Sequence, residues 1–185
     1  MRAGPLLATA VLAAGLLSAC DDGPPPRSAA PSRAPEPTTA ATQEPGAPFR
    51  ADTEPDVEQV AGGPFVLTAV RVGRQEGFDR VVVDLTGTGT PGWDARYVEQ
   101  ARADGSGEPV PVQGDSVLQV AVRGLGTTSV TGRQAGGGQV VREVAFLPVH
   151  EGQAQLVLGL AGEQRPFRVY ALADPLRLVV DVRDR

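Results

Sequence analysis

Two nearly identical stretches, RVVVDL at residues 80–85 and RLVVDV at residues 177–182, decide the fold of this chain. In an extended chain alternate side chains share a face. Three apolar side chains of each copy therefore share one face, while its arginine and aspartate lie on the other. The predicted core positions are Val81, Val83, Leu85, Leu178, Val180 and Val182. Each copy is thus predicted to be a strand whose outer face carries a positive and a negative charge.

The sequence around the two copies has the same alternation of apolar and polar residues, in short runs separated by glycine, proline and aspartate. Such runs are typical of β-strands. The predicted strands are 65–72, 78–86, 93–99, 109–112, 117–123, 140–149, 153–160, 167–172 and 176–182. GRQAGGGQ at residues 132–139 would interrupt any helix. The prediction is an all-β, antiparallel β-sandwich that forms one domain over residues 63–185.

Each copy of the repeat follows a turn. In FRVYALADPLRLVVDV, residues 167–182, Asp174 and Pro175 stand between two alternating runs, and these residue types favour a turn. The first copy follows GRQEGFD, which contains a glycine. The copies thus occupy matching places in a turn-then-strand unit, and two similar halves are predicted.

The first nineteen residues have the pattern of an export signal: Arg2, an apolar run over residues 6–17, and small residues at its end. The closing residues Leu17, Ser18, Ala19 and Cys20 resemble the lipobox of bacterial lipoproteins, in which the cysteine receives a diacylglyceryl group and becomes the mature N-terminus. The alternative is an ordinary cleaved signal. Cys20 is the only cysteine, so no disulfide can form within the chain.

Residues 20–62 are rich in proline, alanine, threonine and acidic residues, and they show no apolar periodicity. This composition predicts a disordered tether, interpreted as a spacer rather than as a segment that recruits a partner. The formal net charge of −5 argues against nucleic acid as a partner and against a general affinity for anionic lipid. Attachment to the extracytoplasmic face of the cell membrane is therefore expected to depend on the lipid of Cys20.

The basic residues other than the single histidine are all arginine, and lysine, asparagine and isoleucine are absent. This bias suggests a GC-rich genome and, together with the lipobox, fits an actinobacterium.

The terminal hairpin at residues 167–182 resembles the closing hairpin of the AMIN domain. The stretches at residues 77–100 and 105–122 follow the order found in actinobacterial AMIN-like lipoproteins. The resemblance implies a β-sandwich with two similar halves. It also implies a non-catalytic binding domain of the cell envelope, with peptidoglycan or an envelope protein as its partner. No catalytic domain accompanies it in this chain, so a role at peptidoglycan is an extension by analogy.

Enzymatic chemistry finds little support in the residue types. The sole histidine, His150, lies in a predicted turn, and neither a catalytic triad, a zinc motif nor a phosphate loop is present. No cofactor and no metal are expected. A hydrolase with Asp84 and Asp181 as paired carboxylates is one alternative, but exposed cross-strand pairing of these aspartates with arginines is the favoured interpretation. A module that binds only another envelope protein is a third possibility.

Six residues are candidates for ligand binding. Aromatic rings stack on sugars, and arginine pairs with carboxylates such as those of peptidoglycan stems. The candidates are Arg71, Arg80, Trp93, Tyr97, Arg168 and Arg177. Core packing is the alternative for the two aromatic residues, and solvated strand surface is the alternative for each arginine.

Overall fold

Strands form the regular structure of residues 51–185, the part of the chain that the computed structural model describes, and no helix occurs in that part. The predicted signal peptide, the lipobox with Cys20 and the tether up to residue 50 lie outside the described residues. The strands are β1 (Asp56–Glu58), β2 (Ala61–Gly62), β3 (Phe65–Gln75), β4 (Phe78–Thr86), β5 (Gly89–Thr90), β6 (Gly92–Val98), β7 (Ser116–Arg123), β8 (Leu125–Thr128), β9 (Gly132–Ala135), β10 (Val141–Phe146), β11 (Gln153–Leu160), β12 (Phe167–Ala173) and β13 (Leu176–Arg183).

Two sheets form a β-sandwich, which confirms the predicted fold class. One sheet has the order β1-β6-β7-β11-β10-β9, the other has the order β12-β13-β4-β3-β8, and β2 pairs with β5 separately. The strand pairs are antiparallel except β3 with β8, which run parallel. A single main cluster of buried apolar side chains draws on both larger sheets. The core therefore lies between the sheets, and each sheet keeps one outer face.

The six core positions predicted from the repeat are confirmed. Leu85 is 4% exposed and the other five are fully buried. The strands β4 and β13 that carry the two copies are neighbours in the five-stranded sheet. The copies therefore pair with each other, and their arginines and aspartates share one outer face.

Eight of the nine predicted strands are present, two of them, β4 and β11, with the predicted bounds. The predicted strand at 109–112 is absent, and only Pro109 forms an isolated bridge, with Arg102. Four consecutive residues with two prolines cannot supply the N–H groups of a ladder, which explains its absence.

Residues 52–62, which the sequence interpretation assigned to the tether, pair with the sandwich and are called the closing strap here. The Phe167 N–H donates to the Asp52 carbonyl oxygen at 2.9 Å, and β1 pairs with β6. The Asp56 carboxylate accepts the indole N–H of Trp93 at 2.9 Å and the backbone N–H of Val169 at 3.0 Å. Because β6 and β12 belong to different sheets, Asp56 connects the two sheets at one edge of the sandwich.

The glycine-rich segment before β10 approaches a buried carboxylate. Asp79 on β4 is fully buried and accepts backbone N–H bonds from Gln139, Val140 and Val141, at 2.6 to 3.1 Å. A Cβ on Gly138 would lie 2.0 Å from this carboxylate. The absence of a side chain is therefore what allows the backbone to wrap around Asp79.

Candidate binding surface

The outer face of the five-stranded sheet carries four of the six candidate residues, and we call it the arginine face. Its members, fixed by strand alternation and register, include Ala69, Arg71 and Gln75 on β3; Phe78, Arg80, Val82 and Asp84 on β4; Arg168 and Tyr170 on β12; and Arg177, Val179, Asp181 and Arg183 on β13. Five arginines against two aspartates leave it with three net positive charges, in a chain whose net charge is −5. The face is therefore suited to an anionic ligand.

Asp181 holds the centre of one part of the arginine face. Arg80 donates from Nε to Oδ1 at 2.6 Å and from Nη2 to Oδ2 at 2.9 Å. Arg168 donates to Oδ2 from Nε at 3.0 Å and from Nη2 at 2.9 Å. The Tyr170 hydroxyl lies 3.4 Å from Oδ2. The predicted cross-strand pairing of Asp181 is thus present.

The expectation that this pairing is exposed is wrong. The Asp181 side chain is fully buried, although it lies on an outer face, and the side chains of Arg80 and Arg168 are only 29% and 23% exposed. The physical reason is that two guanidinium groups and two aromatic rings cover the carboxylate. Asp181 is therefore a buried ion-pair centre rather than a surface charge.

The two aromatic rings among these arginines are Phe78 and Tyr170. The Arg80 guanidinium carbon lies 5.1 Å from the Phe78 ring centroid, and that of Arg168 lies 5.2 Å from the Tyr170 centroid. Both distances are within the range of cation–π attraction. Sequence reasoning missed these rings, although alternation carries the signal: Phe78 stands two residues before Arg80, and Tyr170 two residues after Arg168.

The surroundings in this cluster shift the pKa values of Arg80 and Tyr170. The hydrogen bond to Asp181 is the main reason that the pKa of Arg80 is raised above its ordinary value. Burial raises the pKa of the Tyr170 hydroxyl, and the negative charge of Asp181 raises it further. Both effects keep the ordinary charge states of the cluster, with arginine positive and tyrosine neutral.

Asp84 holds the centre of the other part of the face, and its surroundings are more open. Arg71 donates from Nε to Oδ2 at 2.9 Å and from Nη2 to Oδ1 at 2.6 Å, and this bond raises the pKa of Arg71. The Arg71 side chain is 59% exposed and that of Asp84 is 26% exposed. Arg177 lies opposite Asp84 in the register, and its Nε donates to the Pro175 carbonyl oxygen at 3.3 Å.

Trp93 and Tyr97 lie elsewhere, on β6 of the six-stranded sheet. Trp93 is 7% exposed, and Tyr97 packs against the main core with its ring 5.7 Å from that of Phe167 in an edge-on arrangement. The Tyr97 hydroxyl donates to the Arg165 carbonyl oxygen at 2.7 Å and accepts the Arg165 N–H. The pair does share one strand face, as predicted, but this face points inward. Trp93 and Tyr97 are therefore removed from the candidate surface.

The candidate acid and base of the hydrolase alternative are both bound by arginine. Asp84 lies four residues along β4 from Arg80, which faces Asp181, so the Cα positions of the two aspartates are separated by about 13 Å along the strands. Paired carboxylates of glycosidases lie about 5–9.5 Å apart. His150 is about half exposed beside a turn, as predicted. No group of three or more metal-ligating side chains occurs within residues 51–185.

Fold and surface together define a β-sandwich domain with a basic, aromatic-flanked sheet face. The family model of the AMIN-like domain matches residues 65–184, so the chain belongs to the AMIN-like domain family. Neither a curated protein nor a solved structure matches the chain. Among the described residues there is no helix with the length and apolar character needed to span a bilayer.

Proposed function

We propose that this protein is a lipoprotein, anchored by a diacylglyceryl group on Cys20 at the extracytoplasmic face of the cell membrane. In this proposal its AMIN-like domain binds the peptidoglycan cell wall without catalysing a reaction. The lipobox at residues 17–20 supports the anchor, and membership of the AMIN-like family supports a binding module of the envelope.

The arginine face is the observation that carries the binding part of the proposal. It concentrates positive charge in an acidic chain, and it places two aromatic rings beside the guanidinium groups. Arginine donors match the carboxylates of peptidoglycan stems, and aromatic rings present flat apolar surfaces to sugars. The salt-paired state and the wide separation of Asp84 and Asp181 favour binding over hydrolysis.

Sedimentation with isolated, insoluble cell wall tests the proposal. The full-length chain in mild detergent is expected to pellet with the wall, and the double variant Arg71→Gln with Arg177→Gln is expected to remain mostly in solution. The matched control replaces two exposed arginines of the other sheet, Arg96→Gln with Arg142→Gln, and should pellet like the parent.

Three other results would contradict the proposal. Failure of the parent to pellet at any salt concentration would remove peptidoglycan as the ligand. Turnover of muropeptides that is lost on Asp84→Asn or Asp181→Asn would favour the hydrolase. Crosslinking in intact cells that captures only an envelope protein, with no wall retention, would favour the protein-binding module.

A further inference from the structure

The two copies of the repeat pair around a local two-fold axis. β4 and β13 run antiparallel with Arg80 opposite Asp181 and Arg177 opposite Asp84, so the axis passes through the pair formed by Val82 and Val179. Under this symmetry each aspartate faces the arginine of the other copy. A fully symmetric sheet would also give both aspartates the same partner on their second side.

The partners on the second side differ. β12 places Arg168 opposite Asp181, whereas β3 places Ala69 opposite Asp84. Arg71 reaches Asp84 from a diagonal position, since it lies opposite Val82. On its β3 side Asp84 thus lacks the directly opposed arginine that Asp181 has on its β12 side.

The position of each turn explains this difference. Glu76 and Gly77, between β3 and β4, stand four and three residues before Arg80. The corresponding turn, Asp174 and Pro175, stands three and two residues before the arginine of the second copy. A turn displaced by one residue along a hairpin changes its register by two residues. The sequence interpretation had the two copies at matching places, so the structure corrects it by one residue.

The result is an incomplete cluster at Asp84. Asp181 is fully buried under two arginines, while Asp84 remains 26% exposed beside the small side chain of Ala69. Arg177, which faces Asp84, has its Nε on a backbone carbonyl at the long distance of 3.3 Å. The partly exposed Asp84 carboxylate and the side chains of Arg71 and Arg177 therefore lie next to Ala69. At the corresponding position beside Asp181 stands the large side chain of Arg168.

We infer that the Asp84 cluster, made of Ala69, Arg71, Asp84 and Arg177, is a subsite for an acidic pyranose. Each Asp84 oxygen accepts one bond from Arg71, and hydroxyl groups of the sugar donate to the lone pairs that remain, while a carboxylate or phosphate of the sugar accepts from Arg177. The net positive charge of the arginine face selects the anionic sugar over a neutral one. The Asp181 cluster is already saturated and holds the sheet face in place. This inference rests on the proposed function and adds to it the position and class of the ligand.

A variant that gives Asp84 an arginine opposite it on β3, as Asp181 has on β12, tests the inference. Ala69→Arg supplies Asp84 with the counterpart of Arg168, and the full-length variant is expected to lose about tenfold in retention on isolated cell wall. The control is Gln75→Arg, which adds the same charge on the same face of β3 but opposite Phe78. Added charge alone strengthens binding to an anionic polymer, so Gln75→Arg should be retained at least as well as the parent. Retention of Ala69→Arg at the level of this control would overturn the inference.

A second variant tests the role of Asp84, and competition by free sugars tests the class of the ligand. Asp84→Asn keeps the shape of the site and raises the net charge by one, as Gln75→Arg does, so it should be retained less than Gln75→Arg even if Ala69→Arg disturbs β3. N-acetylmuramic acid, which carries a carboxylate, or glucose 6-phosphate should displace the parent from the wall, and whichever does so identifies the anion. Equal displacement by neutral N-acetylglucosamine would overturn the assignment of an acidic sugar.

Titration of the protein with free sugars tests the subsite independently of wall binding. If the parent does not pellet with the wall, the proposed function fails, and the full-length chain is then titrated with both acidic sugars while its melting temperature is followed. A saturable rise that Ala69→Arg abolishes would support the subsite, and no rise with either sugar would overturn it.

Discussion

Two arginines and a tyrosine hydroxyl converge on the Asp181 carboxylate, which has no contact with solvent. Asp181→Ala leaves two guanidinium groups without their counter-charge, and we expect it to lower the free energy of unfolding by about 3 kcal/mol. This is the lower end of the range for buried pairs, because both arginines reach water. Asp84→Ala, at the exposed counterpart, should cost less than about 1 kcal/mol. Urea unfolding of both variants checks the difference, and equal losses would contradict the burial argument.

Gly138 offers a second test at the residue scale. The added methyl group of Gly138→Ala would meet the Asp79 carboxylate, so the three backbone N–H bonds to Asp79 must lengthen or break. We expect a loss of about 2–4 kcal/mol in the free energy of unfolding. The control is Gly73→Ala, whose methyl group would meet nothing within 4 Å and which should be nearly neutral. Similar thermal midpoints for the two variants would show that the backbone around Asp79 adapts freely.

Both tyrosines of the chain, Tyr97 and Tyr170, have a pKa raised by burial from the ordinary value of 10.0. The folded state therefore holds these protons more tightly than the unfolded state does. The stability that they contribute is complete below about pH 10 and is lost as the pH rises through their folded pKa values. Tyrosinate absorbance should accordingly appear only above pH 10, as stability declines. Titration of Tyr97→Phe and Tyr170→Phe assigns each step, and ionisation at pH 10 in a fully folded protein would contradict the prediction.

At the scale of elements, the closing strap is held mainly by backbone bonds and by Asp56. Its two valines, Val57 and Val60, are 46% and 43% exposed, so apolar burial contributes little. Asp56→Ala removes the acceptor of the Trp93 indole and of the Val169 N–H. We expect the strap to detach and Trp93, the sole tryptophan, to become more accessible to acrylamide, with a red-shifted emission.

The strap experiment has a simple control in Thr53→Ala, because Thr53 is an exposed residue of the same segment. Its tryptophan emission and quenching should match those of the parent. If Asp56→Ala also matches the parent, the strap is held by β1 pairing alone.

The longer strands were predictable from the sequence, whereas the short ones were not. β4 and β13 each keep a strict alternation whose apolar face is buried, apart from the partly buried Leu176 at the start of β13, so periodicity locates them. β1, β2 and β5 have two or three residues, too few to show a period, and they pair through backbone atoms that any sequence supplies. The side chain of Asp56 and its partners on β6 and β12 are far apart in sequence, so their contact could be seen only in the folded chain.

The candidate surface was predictable only in part, for a related reason. Alternation placed the four arginines on outer faces, and the structure brings them onto one face. Alternation could not show whether the Trp93 side chain points inward or outward, because an aromatic residue fits either side of a strand. The burial of Asp181 depends on β12 lying beside β13 and on the turn at Asp174 and Pro175, which fixes the register.

For the whole molecule, the proposed membrane anchor depends on one residue. Cys20→Ser removes the thiol that would carry the lipid, and the net charge of −5 disfavours general adsorption to anionic lipid. We expect the variant to move from the membrane fraction to the soluble fraction after cell breakage. Ser18→Ala, a conservative change within the lipobox, should stay with the membrane. Equal detergent-extractable amounts of parent and Cys20→Ser would show that the anchor lies elsewhere.

The closing strap also determines how the domain would respond to mechanical tension. A pull on the chain from the side of residue 51 meets Asp52 first and Asp56 next, so the contacts of the strap break one after another rather than together. The first fully buried side chain beyond it is Phe65, where resistance rises sharply. Peeling residues 51–62 would lengthen the protein by up to about 40 Å while the arginine face keeps its shape. The strap would thus yield before the sandwich does, and a domain attached to wall and membrane as proposed would follow a moving membrane without unfolding.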